Sequence, residues 1–232
     1  MSGPSVDSEL ARRLSTVQQR VALAAEAAGR EPSDVTVIGV TKTVGREAVD
    51  EAYQLGMRCC GENRVQDAKA KFAVPLPDDA ELHMIGSLQS NKAKSAAELF
   101  DVIQSVDRAS LVDTLARQAA SSGDPIAILL EINVAGETQK AGCPLGDAPK
   151  LLDMVLAHAG LHPLGLMTMA PLTDDQNAVR PVFRGLRNLA VALQERSGVA
   201  LPILSMGMSN DFEAAIAEGA THVRVGRAIF GG

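Results

Sequence analysis

From residue 30 onward the chain alternates two hydrophobic rhythms. Short continuous apolar runs, such as VTVIGV from Val35 and IAILLEI from Ile126, are separated by longer stretches in which apolar residues return every three or four positions. The first rhythm predicts strands over 35–41, 57–61, 82–85, 102–105, 126–132, 165–169, 203–205 and 222–225. The second predicts helices over 46–55, 64–72, 91–97, 110–121, 149–159, 178–195 and 211–218. A further Ala-rich amphipathic helix over 8–28 precedes the first strand; Gly29 stops it and Pro32 lies just beyond. Continuous apolar strands separated by helices are parallel strands covered on both faces. Eight such units in 232 residues predict an α/β fold, a single (β/α)8 TIM-type barrel with an extra N-terminal helix. The alternative is an open doubly wound sheet, whose dinucleotide-binding form is disfavoured because no G-x-G-x-x-G follows the first strand. The loop signals over 74–80 and 170–176 both fit inside one domain. We therefore expect one domain over residues 1–232, with residues 1–7 a flexible N-terminus.

A barrel of this kind carries its chemistry at the C-terminal ends of its strands. Lys42 ends the first strand, GEN at 61–63 the second, HMIG at 83–86 the third and EIN at 131–133 the fifth. MTM at 167–169 ends the sixth, SMGMS at 205–209 the seventh and RVGR at 224–227 the eighth. A lysine emerging from Val and Ile is expected to be partly desolvated, which leaves more free amine to condense with an aldehyde. The plain alternative is a surface lysine snorkelling at a strand end. At the seventh strand, Ser209 or Asn210 is placed to cap the following helix, whose first amides would make an anion site. Gly226 would let backbone amides approach the same anion; capping and an ordinary turn glycine are the plain readings. Alternation sets Val223 and Val225 on one side of their strand and Arg224 on the other, facing either a salt-bridge partner or a ligand. Asn63 could cap the next helix, and His83 could be a core histidine bonded to a carbonyl. Met84, Met167, Met169, Met206 and Met208 are expected near the rim, with core packing their default role.

Composition narrows the partners. Aromatic residues are 3% and Trp is absent, which removes the stacking platform of a single-strand nucleic-acid binder. A net charge of −6 speaks against nucleic acid and anionic membrane surfaces. Cys59, Cys60 and Cys143 are odd in number and lack a C-x-x-C, and the histidines are scattered, so neither a disulfide framework nor a metal site is expected. The first residues lack an apolar signal region and no run is long enough to span a bilayer, so a cytoplasmic protein is expected.

Six segments in order carry a resemblance. VIGVTKTV, GENRVQDAKAKF, HMIGSLQSNKAK, LLEINVAGETQKAGCP, GLMTMAP and LSMGMSNDFEAAIAEGATHVRVGRAIFG closely resemble the pyridoxal phosphate homeostasis protein family, whose fold is that of the alanine racemase N-terminal barrel. The resemblance runs from about Ser8 to the C-terminus. It implies that Lys42 holds pyridoxal 5'-phosphate as a Schiff base, the internal aldimine. It also implies that Ser209, Gly226 and Arg227 hold the phosphate, the last two through backbone amides, and that Arg224 faces the pyridine nitrogen. Asn63, His83 and Met206 would line the pocket. The implied role is a carrier or buffer in intracellular cofactor homeostasis, with apo-forms of pyridoxal phosphate enzymes as hypothetical recipients and little or no turnover.

Physical chemistry agrees with low turnover. An arginine beside the ring nitrogen keeps its proton, so the ring stays a weaker electron sink than it would be with a carboxylate partner. The alternative is a pyridoxal-phosphate-dependent amino-acid racemase. Racemases of this fold add a β-rich domain that supplies an acid/base tyrosine. This chain is expected to lack one, since its barrel pattern runs to its last residues and Tyr53 sits on a predicted helix away from the rim. A third reading, a barrel with a merely structural lysine, would give a colourless protein.

Overall fold

The computed structural model describes residues 8–137, 139–173 and 175–231. Helix α1 (Glu9–Ala27) comes first and is followed by β1 (Thr36–Val40), α2 (Arg46–Gln54), β2 (Cys59–Glu62), α3 (Val65–Lys71) and β3 (Glu81–Met84). Next come α4 (Ala93–Ala97), β4 (Val102–Val106), α5 (Ala109–Ser122), β5 (Ile126–Asn133), the two-residue β6 (Cys143–Pro144) and α6 (Ala148–Leu156). The chain ends with β7 (Leu161–Met167), α7 (Gln176–Ser197), β8 (Ile203–Met208), α8 (Phe212–Ala217), β9 (His222–Val225) and α9 (Arg227–Phe230). Strands lie in the order β4-β3-β2-β1-β9-β8-β7-β5, and a β4–β5 pairing closes the ring. All the pairings are parallel, and β6 adds only a short pairing outside the ring, on β5. The expected (β/α)8 barrel with an N-terminal helix is what forms.

Local chemistry explains the elements. Ser8 Oγ accepts the amide of Ala11 at 3.0 Å and caps α1. Leu14, Val17, Val21 and Ala25, spaced three or four apart, form its buried stripe, and the helix lies against α8 and α9. Each large aliphatic buried this way contributes roughly 1.5–3 kcal/mol. Beyond the helix Gly29 takes a left-handed φ of 68°, and the amide of Arg30 returns to the carbonyl of Ala25.

Alternation along the strands sorts side chains into two compartments. Outward residues such as Leu82, Leu166, Val223 and Val225 join a large core beneath the helices. Inward, Val102, Leu129 and Met167 pack with Ala127, Leu164, Met169 and Ile203 inside the barrel.

Several boundaries differ from the pattern-based expectation. Strand β7 starts at Leu161, ahead of the expected 165, and carries Pro163. The register shift between Ile128 and Leu129 on β5 falls opposite that proline, which has no amide to give to the ladder. Strand β8 runs on to Met208, and α9 was not anticipated: it is a single turn following Gly226. Helix α8 begins at Phe212, with Asp211 rather than Ser209 or Asn210 in the cap position. The Asp211 carboxylate turns back to accept the Met208 amide at 2.5 Å, which closes the turn one or two residues later than expected. The expectation of a flexible N-terminus over 1–7 lies outside the described residues. No described helix is long and apolar enough to cross a membrane.

Candidate functional site

The ring order decides which loops meet. Strands β3, β2, β1, β9 and β8 are consecutive neighbours. Residues far apart in sequence therefore share one arc of the C-terminal rim: Gly86 after β3, Asn63 after β2, Lys42 after β1, Arg224 to Arg227 at β9 and Met206 to Ser209 at β8. Val225 pairs with Gly39, so the turn that begins at Gly226 rises beside the end of the lysine strand.

The first strand delivers its lysine through a clamp. Thr41, fully buried, gives its hydroxyl to Glu62 Oε1 at 2.7 Å. Lys71, at the end of α3, donates to the same Glu62 oxygen and to the Thr41 carbonyl, both at 2.6 Å. Glu62 and Thr41 are completely buried, so the peptide preceding Lys42 is fixed from below. Lys42 itself is exposed, which corrects the expected desolvation. Strand β1 ends two residues earlier, at Val40, and the side chain clears the aliphatic layer. The Lys42 amine has no hydrogen-bond partner among the described residues. Asn63, half-buried, is held from the other side by Gly86, where a Cβ would come within 2.2 Å of the Asn63 carbonyl oxygen.

The last two strands bring a turn, a hydroxyl and a cation. Gly207 adopts a φ of 90°, and a Cβ there would lie 2.6 Å from that of Ala215, so glycine lets α8 close against β8. Ser209 follows on the rim, half-buried. The amides that open the turn at Arg227 have no intrahelical acceptor, and no side chain caps them among the described residues. The Arg227 side chain is exposed. Arg224 points into the barrel, as alternation predicted, and is 4% exposed. It donates to Ser205 Oγ at 2.7 Å and to the Thr168 carbonyl at 2.8 Å. Burial lowers its pKa to about 10, so it remains a cation at neutral pH.

Two expected pocket residues sit differently. The alternation that turns Ser205 inward turns Met206 outward, and Met206 packs in the core beneath the helices, so only its backbone borders the rim. His83 is inside the barrel, 1% exposed, with both ring nitrogens taken: Nδ1 by Gln104 at 2.8 Å and Nε2 by Glu81 at 2.9 Å. Its expected carbonyl partner is replaced by these two side chains.

Residues 13–232 match the family alanine racemase, N-terminal domain. A relative from Aquifex aeolicus named pyridoxal phosphate homeostasis protein is 42% identical over 94% of this chain and 96% of its own length. Another of that name, from Pseudomonas aeruginosa, is 40% identical over 97% and 96%. The chain belongs to the pyridoxal phosphate homeostasis protein family. PipY of Synechococcus elongatus, solved with PLP bound, superposes with a TM-score of 0.85 at 37% identity, covering 96% of this chain and all of that one. Alanine racemase from Corynebacterium glutamicum, at 13% identity, shares the fold alone, with a TM-score of 0.74 over 94% of this chain and 61% of its own.

Within this family member the structure adds a residue that sequence reasoning missed. Glu131 faces inward from β5, 3% exposed, and its Oε2 has no partner. Burial first, then the charge of Asp107, raises its pKa to about 7, while Arg224 opposes the rise. The signal was visible as an acid inside the apolar run LLEIN. Three strands away round the ring, burial holds His222 down to about 4, helped by His83. These two groups oppose each other in pH. The folded protein binds the Glu131 proton more tightly than the unfolded chain does, so this contribution is full below pH 4.5 and lost as pH rises toward 7. His222 contributes fully above 6.5, and its contribution is lost as pH falls toward 4. Each contribution is about 3 kcal/mol. We expect urea unfolding of cofactor-free Glu131→Gln to show a steep loss of stability below pH 6.5, which the parent masks. Parallel pH profiles for parent and variant would refute this balance.

Proposed function

We propose that this protein binds pyridoxal 5'-phosphate at the β8–β9–β1–β2 arc and serves as a carrier or buffer in cofactor homeostasis, with little or no turnover of its own. The observation that carries this reading is the convergence of an unpartnered lysine, a buried cationic donor and uncapped turn amides on one rim of a chain whose relative PipY was solved with PLP bound. The residues present fit the group. Lys42 offers an amine. Ser209 offers a hydroxyl, and the amides of Gly226 and Arg227 suit a phosphate. Arg224 spends two of its five N–H groups on Ser205 and Thr168 and keeps others for a ring nitrogen. Asn63 stands beside the lysine strand. Met206 borders the site by backbone, and His83 acts on it only through Gln104 and Ser205.

Bound there, pyridoxal phosphate supplies an aldehyde for the lysine and an electron-drawing ring. The protein's part is to hold and orient. The clamp on Thr41 sets where Lys42 leaves the strand. Arg224, a cation that does not give up its proton, keeps the ring nitrogen as an acceptor and so limits carbanion chemistry. We assign the chain one binding domain over 1–232 and a cytoplasmic setting, where the free, buried Cys59, Cys60 and Cys143 stay thiols. Apo-forms of pyridoxal phosphate enzymes are the recipients we propose.

Two measurements test this reading. Pyridoxal without phosphate is expected to bind about a hundredfold more weakly or worse, because each charge-assisted hydrogen bond is worth roughly 1.5–3 kcal/mol and at least two are lost. Equal affinity for the two vitamers would overturn the phosphate assignment. Solvent-deuterium exchange at Cα of alanine is expected to stay at background. Racemisation needs an acid and a base on opposite faces of the bound amino acid. His83 has both nitrogens engaged, and Glu131 is the one further inward-facing group that titrates near neutrality among those described. Rapid exchange abolished by Lys42→Ala would establish the racemase reading instead.

A further inference from the structure

A line of side chains crosses the barrel interior beneath the candidate site. Arg224 donates to Ser205 Oγ at 2.7 Å, and Ser205 Oγ meets Gln104 Oε1 at 2.6 Å. Gln104 Nε2 meets His83 Nδ1 at 2.8 Å, and His83 Nε2 meets Glu81 Oε2 at 2.9 Å at the opposite mouth. Ser205 and Gln104 are completely buried and His83 nearly so, while Glu81 reaches solvent.

The chemistry of the two ends gives this line one direction. A guanidinium only donates. Ser205 must therefore accept from it, and the Ser205 proton is left for the Gln104 carbonyl oxygen. The Gln104 amide then turns its NH2 toward His83, whose Nδ1 must be bare. A neutral ring carries its proton on Nε2 and gives it to Glu81. At that end the acceptor is a carboxylate held below its ordinary range, first by the hydrogen bond from His83. Donor-only at one end and acceptor-only at the other, the line is satisfied at each link in this sense. Cys59, Glu81 and His83 have ligand atoms within 4.8 Å of one another, and in this direction a metal there would have to displace the His83 Nε2 proton.

We propose that Gln104 is a positioning residue for the cofactor ring: through Ser205 it fixes Arg224 in place, and His83 and Glu81 anchor Gln104 from the far mouth. This rests on the reading that Arg224 faces a ring nitrogen. Gln104 touches no ligand. It sets the one acceptor, Ser205, that together with the Thr168 carbonyl determines how the guanidinium lies. Without it the Ser205 side chain is free to change rotamer and take Oγ away from Arg224, which would then be held by the Thr168 carbonyl alone.

The test has two parts. In the cofactor-free parent, nitrogen NMR of His83 is expected to show a protonated Nε2 and a bare Nδ1. Gln104→Glu replaces the donor with an acceptor, so His83, between two carboxylates and with the neutral His222 ring 6.3 Å away, is expected to carry protons on both nitrogens. Its affinity for pyridoxal should stay close to the parent's. Gln104→Met, which keeps the bulk and removes the bonds, should weaken pyridoxal and pyridoxal phosphate alike by about tenfold, the worth of one hydrogen bond, and leave inorganic phosphate binding unchanged. A bare Nε2 in the parent overturns the direction. Gln104→Met weakening phosphate as much as pyridoxal, or weakening neither, overturns the positioning role. If the parent fails to form a reducible link at Lys42, the cofactor reading falls instead, and the NMR result still decides the direction of the line.

Discussion

Lys42→Ala is expected to abolish the covalent attachment of pyridoxal phosphate completely. Borohydride reduction of the loaded parent should place the label on the peptide carrying Lys42, and the variant should take none. Two of the rival lysines, Lys71 and Lys140, are occupied. Lys71 is bonded to Glu62 and to the Thr41 carbonyl, both at 2.6 Å. Lys140 is bonded to Glu137 at 2.7 Å and to the Ala170 carbonyl at 3.1 Å. An amine engaged by two acceptors must break both bonds before it can attack an aldehyde. Lys42 has no such partner and is exposed at the strand end. Some non-covalent binding should survive in the variant, because the phosphate contacts we propose follow β8 and β9. A label on Lys71, Lys92 or Lys140 in the parent, or a variant that still takes label, would refute the assignment.

The barrel was legible in the sequence because parallel strands buried on both faces are written as near-continuous apolar runs, long in VTVIGV and IAILLEI and broken by polar residues in VIQS and HVRV. What escaped has particular causes. Pro163 hid the start of β7, since proline argues against a strand until a register shift opposite it is seen. The turn α9 is too short to have a period. The family resemblance implies that Met206 lines the pocket, whereas core packing is its default from the sequence, and the inward turn of Ser205 shows that it faces out into the core. The arc of site loops could be placed once the barrel was assumed, because each loop follows a strand end. The bonds beneath it could not. Ser205 and Gln104 are 101 residues apart, and nothing in either local pattern announces the other. Pair identity across a closed barrel is set by stagger between strands, which hydrophobic period does not encode.

The clamp on Thr41 yields the second large effect, this time on stability. Lys71→Met is expected to destabilise the protein by about 3–5 kcal/mol, because it removes one partner of a buried ion pair and strands the other. Glu62 is completely buried, and its Oε2 already lacks a partner; the bond from Lys71 at 2.6 Å and that from Thr41 at 2.7 Å both fall on Oε1. Methionine preserves the bulk of the stem, so lost packing is a minor part. The pair itself need not stabilise the fold. Desolvating two charges offsets most of their attraction, and Glu62→Gln combined with Lys71→Met should recover much of the loss. What the pair supplies is position, since Lys71 also holds the carbonyl of the residue before Lys42. The double variant should therefore regain stability while remaining slower than the parent to form the reducible link at Lys42. Urea unfolding and timed borohydride trapping on the same samples separate the two roles. A double variant that recovers both stability and loading rate would show that the clamp serves the fold alone, and a stable Lys71→Met single variant would show that Glu62 finds another partner.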